Sequence, residues 1–163
     1  MYSVPQGCNC GYLTDPHRRC RCSSTHVQRY LAKVSGPLLD RIDLHIDVPA
    51  VPFDALTKAP EGESSAQIRA RVQQATAFRR KRGQQHPNAQ LRTKDLKTYC
   101  QMSADVMTLL KSAMQELNLS ARSYTKILKI ARTIADLAQE ELIRPEHVAE
   151  AIQYRSLDRQ LWA

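Results

Sequence analysis

From residue 64 to residue 152, apolar residues recur at three- and four-residue intervals, in runs opened by residues suited to helix starts. A chain with that period has little choice but to stack amphipathic helices. Ser64 or Ser65 opens a first run with Ile68, Val72, Ala75 and Phe78 on one face, and Gly83 closes it. Thr93 is placed to cap a short helix through Leu96 and Tyr99. Ser103 precedes Val106, Leu109, Leu110, Ala113 and Leu117 at helical spacing. Ser120 begins a long helix whose apolar face is Tyr124, Ile127, Leu128, Ala131, Ile134, Ala135 and Ala138. Pro145 suits the first position of a last helix bearing Val148 and Ile152. The pattern predicts a mainly α fold with a bundle of about four or five helices.

The first third reads differently. Residues 1 to 24 are irregular, with Pro5, Gly7, Gly11 and Pro16 between the cysteines. Thr25 is expected to cap a short helix through Val27, Tyr30, Leu31 and Val34, stopped by Gly36. Ile42, Leu44, Ile46 and Val48 then alternate with polar residues, the period of a half-buried strand over 42–48. Pro49, Pro52, Pro60 and Gly62 mark a linker, so the expected organisation is 1–50, a linker at 51–62, and a helical unit at 63–163.

A formal charge of +8 makes a polyanion a plausible partner. No run approaches the roughly 18 apolar residues of a membrane span, and no secretory h-region opens the chain, so a soluble cytoplasmic protein is expected. Five cysteines, four of them clustered, argue against a secreted disulfide framework and for metal or redox chemistry.

Cys8, Cys10, Cys20 and Cys22 offer four thiolates for tetrahedral zinc, with His17 as a substitute for one. Each pair has one intervening residue, shorter than the usual two to four, so a plain reduced-cysteine loop stays open as the alternative. Cys100, alone beside Tyr99, is expected to fill core. Arg18, Arg19, Arg21, Arg29 and Lys33 form a stretch without acids that suits a nucleic-acid backbone. Arg79, Arg80, Lys81 and Arg82 equally suit the negative end of a helix dipole. Neither sequence-specific readout nor a base-stacking platform has support in the pattern. Arg41 stands between a turn and the expected strand, where a long cation can reach a cleft or a neighbour, or merely pair with Asp40 or Asp43. Arg122 lies in the first turn of the long helix and is expected to share a polar face with Lys126, Lys129 and Arg132; a solvated basic face is the alternative.

Several segments carry a resemblance. Cys8-Asn9-Cys10-Gly11-Tyr12, Cys20-Arg21-Cys22-Ser23, Gln28-Arg29-Tyr30-Leu31 and the run from Ser35-Gly36-Pro37-Leu38-Leu39-Asp40-Arg41 to His45 are similar to the magnesium-chelatase-like branch of AAA+ ATPases, in particular its ComM/YifB family. So are Glu63-Ser64-Ser65-Ala66-Gln67-Ile68-Arg69-Ala70-Arg71-Val72, Leu119-Ser120-Ala121-Arg122-Ser123-Tyr124 and Ala131-Arg132-Thr133-Ile134-Ala135-Asp136-Leu137-Ala138. The resemblance implies the end of an AAA+ α/β core followed by a helical lid. It implies ATP and magnesium as cofactors and a homo-oligomeric, hexameric ring that drives branch migration of DNA during natural transformation. By the same resemblance Arg41 is an arginine finger acting in trans, and Arg122 is a sensor-2 arginine on the phosphates of its own subunit.

No Gly-x-x-x-x-Gly-Lys-Ser/Thr phosphate loop occurs, and no apolar strand ends in paired acids. The chain therefore reads as the C-terminal part of such an ATPase, not expected to hydrolyse ATP alone. It departs from the family where Ser3-Val4-Pro5-Gln6-Gly7-Cys8 replaces an asparagine followed by Pro-Cys-Pro-Cys-Gly. Two rivals stand beside the DNA motor. One is a magnesium-chelatase-type motor subunit remodelling a metal-insertion complex, and the other is a non-enzymatic, zinc-stabilised DNA-binding module.

Overall fold

The computed structural model describes residues 7–13, 15, 18–33, 38, 41–46, 48 and 62–155. The expected linker lies outside these residues except for Gly62, as do His17, Asp40 and Val34. Six α-helices occur among the described residues: α1 Ser24–Leu31, α2 Ser65–Lys81, α3 Thr93–Tyr99, α4 Ala104–Glu116, α5 Ala121–Leu137 and α6 Pro145–Gln153, with a 3₁₀ turn at Asn88–Gln90.

The capping chemistry explains where these helices begin. Ser64, Ser103 and Ser120 each accept a hydrogen bond from the backbone N–H three residues on. At α2 the Gln67 side chain reaches back to the Ser64 N–H at 2.8 Å, completing a capping box. Pro145 occupies the first turn of α6, as expected. Two starts differ from the sequence reading. Ser23, not Thr25, caps α1, its side chain accepting from the His26 N–H. Thr93 is already helical, and at α3 Asp95 accepts from the Arg92 N–H at 3.1 Å. Gly83 follows the end of α2 at φ +82°, a conformation that favours glycine.

Helix α5 is the axis of the bundle, with α2, α3, α6 and the 3₁₀ turn packed against it and α4 against α6. Ile127, Leu128, Ala131 and Ala135 of α5 join Leu96, Cys100, Val106, Leu110, Ile143, Val148 and Ala151 in one core. Tyr124, Ile134 and Ile152 are partly buried against it. Cys100 fills core, as expected, its thiol directed at the Leu128 carbonyl. A parallel bridge pairs Met102 with Ile143 and ties the connections before α4 and α6 together.

Three sequence expectations fail here. Ile68 and Val72 are 43% and 51% exposed; the half-buried residues of α2, Ala75, Thr76, Phe78 and Arg79, all lie toward its C-terminal end. Leu109 and Ala138 also face outward, at the edges of their helical stripes. Residues 42–46 and 48 form no strand among the described residues, where no extended neighbour offers a ladder. The segment instead spends its polar backbone on helices: the His45 N–H donates to the Tyr154 carbonyl at 2.8 Å.

Candidate metal centre and candidate nucleotide arginines

The loop at residues 7–22 is shaped by two glycines with positive φ, Gly7 at +40° and Gly11 at +77°. The Gly11 N–H donates to the Cys8 carbonyl at 3.1 Å, closing a tight turn around the first cysteine pair. A Cβ on Gly7 would meet only the end of the exposed Leu13 side chain, at 2.7 Å, so it is the positive φ that selects glycine here.

Cys20 and Cys22 join this first pair from further along the chain. The Sγ atoms of Cys8, Cys10, Cys20 and Cys22 lie within 4.8 Å of one another. Cys8 to Cys10 is 3.3 Å, Cys10 to Cys20 is 3.5 Å and Cys8 to Cys20 is 3.7 Å. Four thiolates at ~2.3 Å from a tetrahedral zinc stand ~3.8 Å apart, so the donor set fits that ion. None of the four is in a disulfide.

The protons of this cluster are unevenly shared. Burial raises the Cys8 thiol, but hydrogen bonds from Cys10 and Cys20 and from two backbone N–H groups outweigh it and hold Cys8 at about 6. The Cys22 backbone N–H favours a Cys20 thiolate, yet burial and the bonds to Cys10 and Cys8 push Cys20 up to about 12. Cys8 thus gives up its proton far more readily than Cys20, and a cation in the middle relieves the competition among the sulfurs.

The basic residues expected beside this loop are Arg18, Arg19, Arg21, Arg29 and Lys33, and all five are exposed. Arg18 stacks on the Tyr12 ring with its guanidinium 5.2 Å from the centroid and donates to the Tyr12 hydroxyl at 2.8 Å. Lys33 sits over Tyr30 at 5.4 Å. The second basic run behaves otherwise, because Arg82 turns inward to Asp136 at 2.6 Å.

Arg41 is exposed, and its backbone N–H closes a turn onto the Leu38 carbonyl at 3.0 Å. Asp43, one suggested partner for Arg41, pairs with Lys126 at 2.9 Å. Arg122 is exposed in the first turn of α5. The shared basic face expected around it is not there. Arg132 is completely buried, Lys126 reaches the Ile42 carbonyl at 3.2 Å, and Lys129 reaches the Ala89 carbonyl at 2.9 Å.

Sequence reasoning missed two buried arginines. Arg132 donates to Asp136 and to the carbonyls of Glu140 and Glu141 after α5, while Asp136 also accepts from Arg82 and from Asn88 at 2.8 Å. The signal was present: Leu128, Arg132 and Asp136 follow each other at four-residue spacing on the apolar side of α5. Arg155, 2% exposed, donates to the Ile42 carbonyl and to Ser123 Oγ. Its place after the last apolar stripe carried no such signal.

Residues 62–155 match the family model described as magnesium chelatase, subunit ChlI C-terminal, and residues 4–56 match that of magnesium chelatase, subunit ChlI. The chain belongs to the magnesium-chelatase ChlI family. Among curated members of that family it is 38% identical to the uncharacterized protein YifB of Escherichia coli over 152 residues, 93% of this chain and 29% of that protein. It is 40% identical to the competence protein ComM of Haemophilus influenzae over the same shares. An uncharacterized protein of Mycobacterium tuberculosis is 34% identical over 83% of this chain and 27% of its own length. The chain thus spans less than a third of the curated relatives it matches. It is a ComM-like member of this family, mainly helical over its larger match. No helix among the described residues is long and apolar enough to cross a membrane.

Proposed function

We propose that this chain is the C-terminal part of a ComM-like AAA+ motor that uses ATP to move DNA strands, with residues 1–50 ending the nucleotide-hydrolysing core and 63–163 forming its lid. Likeness over 93% of the chain to a protein named for competence supports the DNA reading most directly. The exposed Arg18, Arg19, Arg21, Arg29 and Lys33 on and beside the cysteine loop add charge suited to a phosphate backbone.

In this reading Cys8, Cys10, Cys20 and Cys22 hold a structural zinc that stiffens the loop and presents the arginines to DNA. Arg41 reaches the nucleotide of the next subunit in a homo-oligomeric ring, hexameric as in the ring the resemblance implies. There its guanidinium spreads over the charge that develops on the transferred phosphoryl oxygens. Arg122, at the start of α5, contacts the phosphates of its own subunit and links lid position to nucleotide state. ATP and magnesium bind in the full-length protein, and this chain alone does not turn over ATP.

The test is ATP hydrolysis by the full-length protein with and without a branched DNA, at low and moderate salt. DNA stimulation that fades with salt supports the motor. Turnover indifferent to DNA moves a chelatase-type subunit, which the family model's own description favours, to the front.

A further inference from the structure

We infer that Arg155 is a positioning residue that holds the segment carrying Arg41 in register with the helix start carrying Arg122. The inference rests on the roles proposed above for those two arginines. Arg155 is 2% exposed just beyond α6, and its guanidinium spans two elements. One Nη donates to the carbonyl of Ile42, the residue after Arg41. The other reaches the hydroxyl of Ser123, the residue after Arg122, at 3.5 Å.

The same junction is braced from both sides. Lys126, one turn along α5 from Arg122, donates to the same Ile42 carbonyl at 3.2 Å and pairs with Asp43 at 2.9 Å. The His45 N–H closes onto the carbonyl of Tyr154, the neighbour of Arg155, at 2.8 Å. A carbonyl that receives two cationic donors is held far more firmly than an isolated loop carbonyl. A buried guanidinium also cannot drift, since leaving its acceptors would strand its N–H groups without water. Arg155 therefore fixes the backbone beside Arg41 relative to the first turn of α5. A guanidinium displaced by about 1 Å from a transferring phosphoryl group forfeits up to ~100-fold in rate.

The test compares Arg155→Met with the wild type in the full-length protein. Methionine keeps apolar bulk while removing every donor, which limits the loss of packing. The expected result is a kcat lowered about tenfold or more with nucleotide Kd within about twofold, both read at a temperature well below the variant's own unfolding midpoint. Arg155→Lys, which restores a donor to the Ile42 carbonyl, recovers part of kcat. A kcat within about twofold of wild type, or a Kd that moves in step with kcat, overturns the inference. Should Arg155→Met fail to fold, Lys126→Met, which removes the second donor to that carbonyl, decides by the same criteria. Arg41→Ala run in parallel separates the two levels. Retained turnover in Arg41→Ala removes the proposed finger itself, whereas its loss alongside a normal Arg155→Met removes only the positioning role.

Discussion

Asp136→Ala is the substitution that most severely tests the account of this fold. The carboxylate is 2% exposed and accepts four side-chain donors: Arg82 Nη1 at 2.6 Å, Arg82 Nη2 at 3.2 Å, Asn88 at 2.8 Å and Arg132 Nε at 3.0 Å. Removing it leaves the completely buried Arg132 facing Arg82, which shares its charge. Burial already depresses the pKa of Arg132, and Asp136 is the neighbour that opposes this most. Breaking one side of a buried pair costs about 3–5 kcal/mol. At about 2–4 °C per kcal/mol for a chain of 163 residues, the thermal midpoint should fall by at least about 6 °C. The assay is thermal and urea unfolding of the whole chain followed by circular dichroism. Arg132→Met with Asp136→Leu, which removes the buried pair but leaves Arg82 without its carboxylate, should recover part of that loss. A destabilisation of Asp136→Ala below about 1 kcal/mol would refute the view that this network pins α2 and the 3₁₀ turn to α5.

The remaining predictions concern the loop and the arginines. The chain should bind one equivalent of zinc, and Cys20→Ser should release it, as metal analysis after gel filtration will read. In the metal-free chain one thiolate's ultraviolet absorbance should persist down to about pH 6, because Cys8 is held there. Since that pKa lies below its ordinary value of 9.0, the stability it contributes is present above pH 9.0 and is lost as pH falls through about 6. Zinc should abolish the transition, and an unshifted cysteine titration would contradict the clustered geometry. Gly7→Ala, forced to adopt φ +40°, should weaken zinc affinity about fivefold or more, on the order of one kcal/mol of strain; equal affinity would refute the argument from the backbone. In the full-length protein Arg41→Ala should cut ATP turnover on the order of a thousandfold while sparing nucleotide binding, and more than half of wild-type turnover would sink its proposed role. Arg122→Ala should weaken the link between nucleotide binding and lid closure, and unchanged affinity and turnover would count against it.

Helix starts were legible because capping is local. A serine hydroxyl reaching the N–H three residues on needs no other part of the chain, so Ser64, Ser103 and Ser120 could be placed from the sequence. The same locality explains the small misses at α1 and α3, where adjacent residues offered competing caps. The four cysteines were legible as a set, since a turn built on Gly7 and Gly11 needs few residues to bring Sγ atoms together.

What the sequence by itself determined is the order of the helices, most of their starts and the grouping of the thiols, all set by interactions across a few residues. Only the tertiary structure decided which faces are covered. Periodicity marks an apolar stripe but not the neighbour that meets it, so Ile68 and Val72 stand exposed while the equally regular Ile127 and Leu128 are buried. It likewise decided that Arg155 lies inside. A buried cation is tolerable only where distant groups converge on it, and for Arg155 those groups are Ile42 and Ser123, 113 and 32 residues away.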